Sequence, residues 1–272
     1  MASFNVYHAR SISLPSRQHP VAEQLDEQLS RLKSSQSVST SSSLSISHRL
    51  SDIKELYSCV DRLLQLPLNQ QTDLSIDEVL DGSVRLLDSC SASRDALQLS
   101  RERLQDVQSC LRRRCSGEQS ITNEAVSYLN TRRTVKKTVK KCMKSLKPQT
   151  EVKKDDAHAA LKDVQAVTAE TLTSMLSYIA GSNKSGWSTV AKLINKNANK
   201  EMKSDSGFDV VDAALNLFIC QKKNGANTSQ IEDLRSQMSK LETEIQDLDE
   251  QLEGLFRNLV KTRATLLNII SY

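Results

Sequence analysis

Between Ile231 and Ile269 apolar side chains recur at steps of three and four: Ile231, Leu234, Met238, Leu241, Ile245, Leu248, Leu252, Leu255 and Leu259. Beyond Thr262 the pattern resumes with Leu266 and Ile269. A stripe of this period has one way to leave water, which is to lie along another helix. A helix over 228–270 at 1.5 Å per residue would be roughly 60 Å long.

The rest of the chain agrees with an all-helical reading. Only 7 glycines and 4 prolines occur in 272 residues, and positions 68 to 147 contain no proline. The Gly-punctuated β-branched runs of a parallel sheet do not appear. The expected fold is therefore all-α: an antiparallel bundle of long helices, a C-terminal heptad-patterned helix and a disordered N-terminal tail.

Two regions are expected. Residues 1–46 form a flexible Ser-rich tail with a short helix at 21–33, where Val21, Leu25, Leu29 and Leu32 share a side. Between Ser34 and Ser47 nine of fourteen residues are serine, which leaves too little apolar area to fold alone. Residues 47–272 form the helical bundle domain, including 228–270 as a coiled-coil-like helix. Within it one helix runs to about Leu66 and is stopped by Pro67. Ser75-Ile-Asp-Glu78 reads as a capping box, opening a stretch through Val79, Leu80, Val84, Leu87, Ala96, Leu97, Leu104, Val107 and Leu111, with a break at Ser89–Ser93. A basic helix spans about Ser120 to Leu146. Asp155 and Asp156 open the next at its positive end, a short helix follows Trp187, and Phe208–Phe218 makes another before Asn224-Gly225.

Charge is polarised along the chain. Residues 112–147 carry eleven Lys/Arg against Glu118 and Glu124, whereas 228–257 carry eight Asp/Glu against three bases. On the basic helix Val135, Val139, Cys142 and Leu146 cluster within roughly 60° at 100° per residue. Arg132, Arg133, Lys136, Lys137, Lys140, Lys141, Lys144 and Lys147 are read as the opposite face. That face is either solvated and partly neutralised by the acidic C-terminal helix, or a contact surface for anionic membrane. Tyr128 is the sole aromatic residue nearby, which argues against a nucleic-acid groove.

Arg10-Ser11-Ile-Ser13-Leu-Pro15 fits R-S-x-S-x-P, a form that 14-3-3 proteins read once the second serine is phosphorylated. The heptads could build a homodimer, but no g-to-e′ pair of a parallel dimer attracts, and Glu244–Asp249 repels. Phe256 and Leu267 also widen the stripe. Packing antiparallel onto the chain's own helices, in a monomeric bundle, is the favoured arrangement.

Catalytic signals are absent. His8, His19, His48 and His158 lie apart, and no P-loop, GxGxxG, HExxH or GxSxG occurs. Asp155-Asp156 and Glu244/Asp247 read as caps and solvated faces, and Trp187 as a core anchor. No cofactor and no metal site is expected. Cys59, Cys90, Cys110, Cys115, Cys142 and Cys220 show no CxxC spacing and read as thiols in a reducing compartment. No signal-peptide h-region and no 18-residue apolar run occurs, so an intracellular, cytoplasmic chain is expected, neither secreted nor membrane-spanning.

Several blocks together resemble the plant-specific BYPASS-like family. They are His8-Ala-Arg-Ser-Ile-Ser-Leu-Pro-Ser-Arg-Gln-His-Pro20, Asp81-Gly-Ser-Val-Arg-Leu-Leu-Asp88, Leu111-Arg-Arg-Arg114, Ser185-Gly-Trp-Ser188, and Leu255 through Ile270. The resemblance covers nearly the whole chain. It implies a helical plant protein without known catalytic residues, related to proteins associated with root and shoot development through control of a mobile root-derived signal. Some relatives are linked with chloroplasts. The acid-free, Ser-containing N-terminus is compatible with that address but lacks an Arg-rich amphipathic helix.

Overall fold

The C-terminal stripe forms one unbroken 43-residue helix, Thr228–Ile270. The computed structural model describes residues 19–35, 42–66, 75–113, 118–147, 159–181, 206–220 and 228–271. Among the described residues every element is a helix: α1 (Pro20–Ser34), α2 (Ser43–Leu64), α3 (Ser75–Arg113), α4 (Glu118–Ser145), α5 (Ala159–Ala180), α6 (Gly207–Cys220) and α7 (Thr228–Ile270). The Arg10–Pro15 motif, Asp155–Asp156, Trp187 and Asn224-Gly225 lie outside the described residues.

Leu234, Met238, Leu241, Ile245, Leu248, Leu252, Leu255 and Leu259 are all buried, and Ile231 is half-buried at the helix start. The stripe is satisfied inside the chain, between α3 and α2. Against α3 the direction is antiparallel. Arg263 donates to the Leu80 carbonyl at 2.6 Å, Arg94 meets Asp249 at 3.0 Å, Gln105 meets Glu242 at 2.6 Å, and Arg235 donates to the Leu111 carbonyl. Against α2 the direction is parallel, because Asn258 donates to the Lys54 carbonyl at 3.1 Å and Thr262 to Asp61 at 2.6 Å. The one polar residue in the ladder is thus explained: Thr262 sits where α2 buries a carboxylate, which Lys261 also pairs at 3.0 Å.

Three expectations change. First, α3 has no break. Its buried residues run Val79, Ser83, Leu86, Cys90, Ser93, Leu97, Ser100, Leu104, Val107 and Leu111, a second 3,4 ladder hidden by three serines. Their hydroxyls donate to carbonyls of the preceding turn, from Ser83 to Leu80 at 2.6 Å, Ser93 to Ser89 at 2.6 Å and Ser100 to Ala96 at 2.7 Å. Bonded this way they pack as small, nearly apolar groups. Val84 is not inward; it is 37% exposed, and Leu86 takes the core position. Second, the bundle reaches further toward the N-terminus than residue 47. The Ser42 hydroxyl accepts the Ser45 N–H at 3.2 Å and caps α2, so a serine of the low-complexity stretch acts as helix start. Third, α1 is docked. Pro20 fits its first turn, and Leu25, Leu29 and Leu32 are buried against α2 and α5.

Helix α5 closes the core beside α3 and α2. Gln165 donates to the Val79 carbonyl at 2.6 Å, an approach that Gly82 permits because a Cβ there would strike the Gln165 amide. Arg49, buried on α2, donates to the Thr171 hydroxyl at 2.9 Å.

Truncating the ladder tests this architecture. Leu252→Ala, fully buried, should lower unfolding free energy by about 2–5 kcal/mol. Leu267→Ala, on a side chain 43% exposed, should cost less than about 1 kcal/mol. Urea unfolding followed by circular dichroism measures both, and equal losses would contradict the assigned faces.

Candidate functional site

Helix α4 divides its cations between two jobs. Its buried side runs Ala125, Tyr128, Arg132, Val135, Val139 and Leu146, with Cys142 half-buried in the same register. That is again a 3,4 repeat, with an arginine in a core position. Arg132 is 1% exposed, so it does not belong to the outward face on which the sequence reading set it. The reason is its angle: at 100° per residue it lies only about 60° from Val135.

Arg132 meets a carboxylate, a carbonyl and an aromatic ring. Nε donates to Asp212 Oδ1 at 3.2 Å and Nη2 to the Ile179 carbonyl at 2.7 Å. The guanidinium also stacks 4.2 Å from the centroid of the Phe208 ring, which meets the Tyr178 ring edge-on at 5.9 Å. Tyr178 in turn donates to Glu244 of α7. Four helices, α4 to α7, are therefore tied through one polar cluster. Lys136 Nζ reaches the second oxygen of Asp212 at 3.0 Å, so it too is turned partly inward. Arg132 Nη1 and the Tyr128 hydroxyl are buried without a hydrogen-bond partner among the described residues.

The remaining six of the eight, Arg133, Lys137, Lys140, Lys141, Lys144 and Lys147, are exposed. The five on the helix fall in a sector of about 100°, and Lys147 follows just past its end. Among the described residues none of the five lysines forms an ion pair, and Arg133 bonds only to Asn130 of its own helix, at 3.1 Å. The acidic stretch of α7 does not neutralise them. Its Asp249 and Glu253 face Arg94 of α3, at 3.0 and 3.5 Å, and Glu242 faces Arg101 at 3.8 Å.

Other chemistry is sparse. Among the described residues no group of three His, Cys, Asp or Glu is placed to hold a metal, and Cys59, Cys90, Cys110, Cys142 and Cys220 are free thiols. A crevice lined by Tyr57, Val79, Val164, Leu259 and Thr262 has room for about one water molecule. No helix of the described residues is long and apolar enough to cross a membrane.

A family model described as Protein BPS1 matches residues 49–269. The chain belongs to that family. No curated protein and no solved structure matches it. The BPS1-family span runs from Arg49 in α2 to Ile269 near the end of α7, so it includes both cation sets of α4. Helix α1 lies outside the matched span yet shares its core.

Two outcomes follow for this BPS1-family bundle. Asp212→Asn leaves the buried Arg132 charge uncompensated and should cost about 3–5 kcal/mol in urea unfolding. Lys137→Gln on the exposed side should cost less than about 1 kcal/mol. The second outcome concerns alkali. Burial raises Cys90 from 9.0 to about 12. Burial, then the Asp212 charge, raises Tyr128; burial also raises Tyr57 and Tyr178, the latter helped by its bond to Glu244. Each folded value exceeds its unfolded one, so the contribution is fully present below about pH 9 and lost as pH climbs toward the folded values. Of the five tyrosines, Tyr57, Tyr128 and Tyr178 should ionise together with loss of helical dichroism, not ahead of it, as tyrosinate absorbance measures.

Proposed function

We propose that this BPS1-family chain is a non-catalytic regulatory adaptor that works through the outward faces of its helices. The observation that carries the reading is the exposed cation set of α4, Arg133, Lys137, Lys140, Lys141, Lys144 and Lys147. A helix whose apolar side is used up in packing offers partners only its outside, and here that outside is one sign of charge. Membership of the BPS1 family supports a regulatory role, and the BYPASS-like resemblance points to root and shoot development. No cofactor or metal enters the reading.

The N-terminal motif supplies the control. Phosphorylation of Ser13 would add nearly two negative charges between Arg10 and Pro15, in the form an Arg-lined 14-3-3 groove accepts. Full-length chain phosphorylated at Ser13 should be retained on immobilised 14-3-3 protein. Ser13→Ala should lower retention at least about tenfold, with circular dichroism unchanged. Equal retention of the two would sink the tail as a docking element. Proximity labelling in root cells tests the body: replacing Lys137, Lys140, Lys141 and Lys144 by Gln should remove a defined set of neighbours.

A further inference from the structure

We propose that the outward face of α4 docks onto the anionic surface of a lipid bilayer. This rests on the reading of that face as a contact surface and names the partner it fits. The cations from Arg133 to Lys144 cover about 17 Å of helix at 1.5 Å per residue, with Lys147 just past its end. No Asp or Glu occurs from residue 125 to residue 147. Asp212, the carboxylate that α6 brings to α4, already serves Arg132 and Lys136. The bundle thus holds a one-signed strip that its own acids do not meet.

The chemistry of the strip chooses among anionic partners. A protein interface needs an apolar centre that excludes water. On α4 the exposed large apolar side chain is Val126, which lies ahead of the cation run. Ion pairs left in water improve binding by at most about fivefold each, and each requires its own geometry. A bilayer makes no such demand, because lipid headgroups diffuse to meet each ammonium. Every Lys or Arg near an anionic leaflet improves partition about fivefold, so six together give roughly ten-thousand-fold. Single-stranded nucleic acid would require aromatic faces between the cations. Tyr128, the aromatic residue nearest the run in sequence, is buried at 1% exposure and out of reach. Five of the six exposed cations are lysine, a mobile point charge suited to a fluid surface. With no membrane-spanning helix among the described residues, the contact made by α4 is peripheral.

Vesicle flotation of the full chain tests this. The protein should float with phosphatidylcholine vesicles containing phosphatidylserine and stay behind with phosphatidylcholine alone. Raising salt from about 0.1 M to about 0.5 M should release it, since screening shortens the reach of each charge. Replacing Lys137, Lys140, Lys141 and Lys144 by Gln should cut partition several-hundred-fold, whereas replacing the same four by Arg should preserve it; both variants should keep wild-type dichroism. The proposal falls if folded wild type does not float with anionic vesicles, if the Gln variant floats as well as wild type, or if polyglutamate or RNA is bound in place of the vesicles. Should flotation fail while the Gln variant still loses its neighbours in cells, the adaptor reading stands and only the lipid assignment falls.

Discussion

The antiparallel seam between α3 and α7 is the contact on which the bundle depends. Both helices are long, 39 and 43 residues, and both carry a 3,4 ladder that no short element could cover. Burial of these ladders supplies the driving force, while the direction is set by charge. Arg94 and Arg101 of α3 meet Asp249, Glu253 and Glu242 only when the two helices run in opposite senses. Partly exposed pairs of this kind contribute little stability each. Their value here is in register, together with Arg263 and Arg235 donating to α3 carbonyls near either end of the seam.

That seam has a consequence for the distant face of α4. Asp249, Glu253 and Glu242 of α7 are turned to α3, and among the described residues Asp212 is the carboxylate that pairs cations of the basic helix. The cluster around Arg132 then fixes how α4 is rotated. With Arg132 in the core and Lys136 leaning to the same carboxylate, the sector from Arg133 to Lys144 has to point outward. A buried guanidinium is costly unless paired, so any roll of α4 that drew Arg132 from Asp212, Ile179 and Phe208 would be resisted. The core contact and the surface presentation are two sides of one constraint.

Much of this was legible from residues alone, and the misses share a cause. The α7 ladder could be read because leucine and isoleucine announce their burial. The equivalent ladder in α3 was obscured by Ser83, Ser93 and Ser100, which hydropathy scores as polar although their hydroxyls bond within their own helix. Arg132 was placed outside for the same reason, by its charge, when its position between Tyr128 and Val135 in the repeat marked it as inward. The docking of α1 was hidden by its serine-rich neighbour, although Leu25, Leu29 and Leu32 carried the signal. In each case spacing was the better guide than polarity. The network in which Tyr178 donates to Glu244 and accepts the Gly207 N–H was not legible, because it depends on where three separate helices meet.

Helix α4 also separates its two kinds of cation by the demands placed on them. At the buried position the side chain must satisfy a carboxylate, a carbonyl and an aromatic ring at once, in fixed directions. A planar fork of donors does this, and an ammonium does not. Outside, five of six exposed cations are lysines, whose charge sits on a flexible stem and keeps its water. Such side chains are poorly suited to a rigid, geometrically specified partner, since holding several of them still costs rotamer entropy. They suit a partner that adapts to them. Arginine where the structure must be exact and lysine where it need only be positive is the division expected of a helix that is anchored on one side and makes loose electrostatic contact on the other.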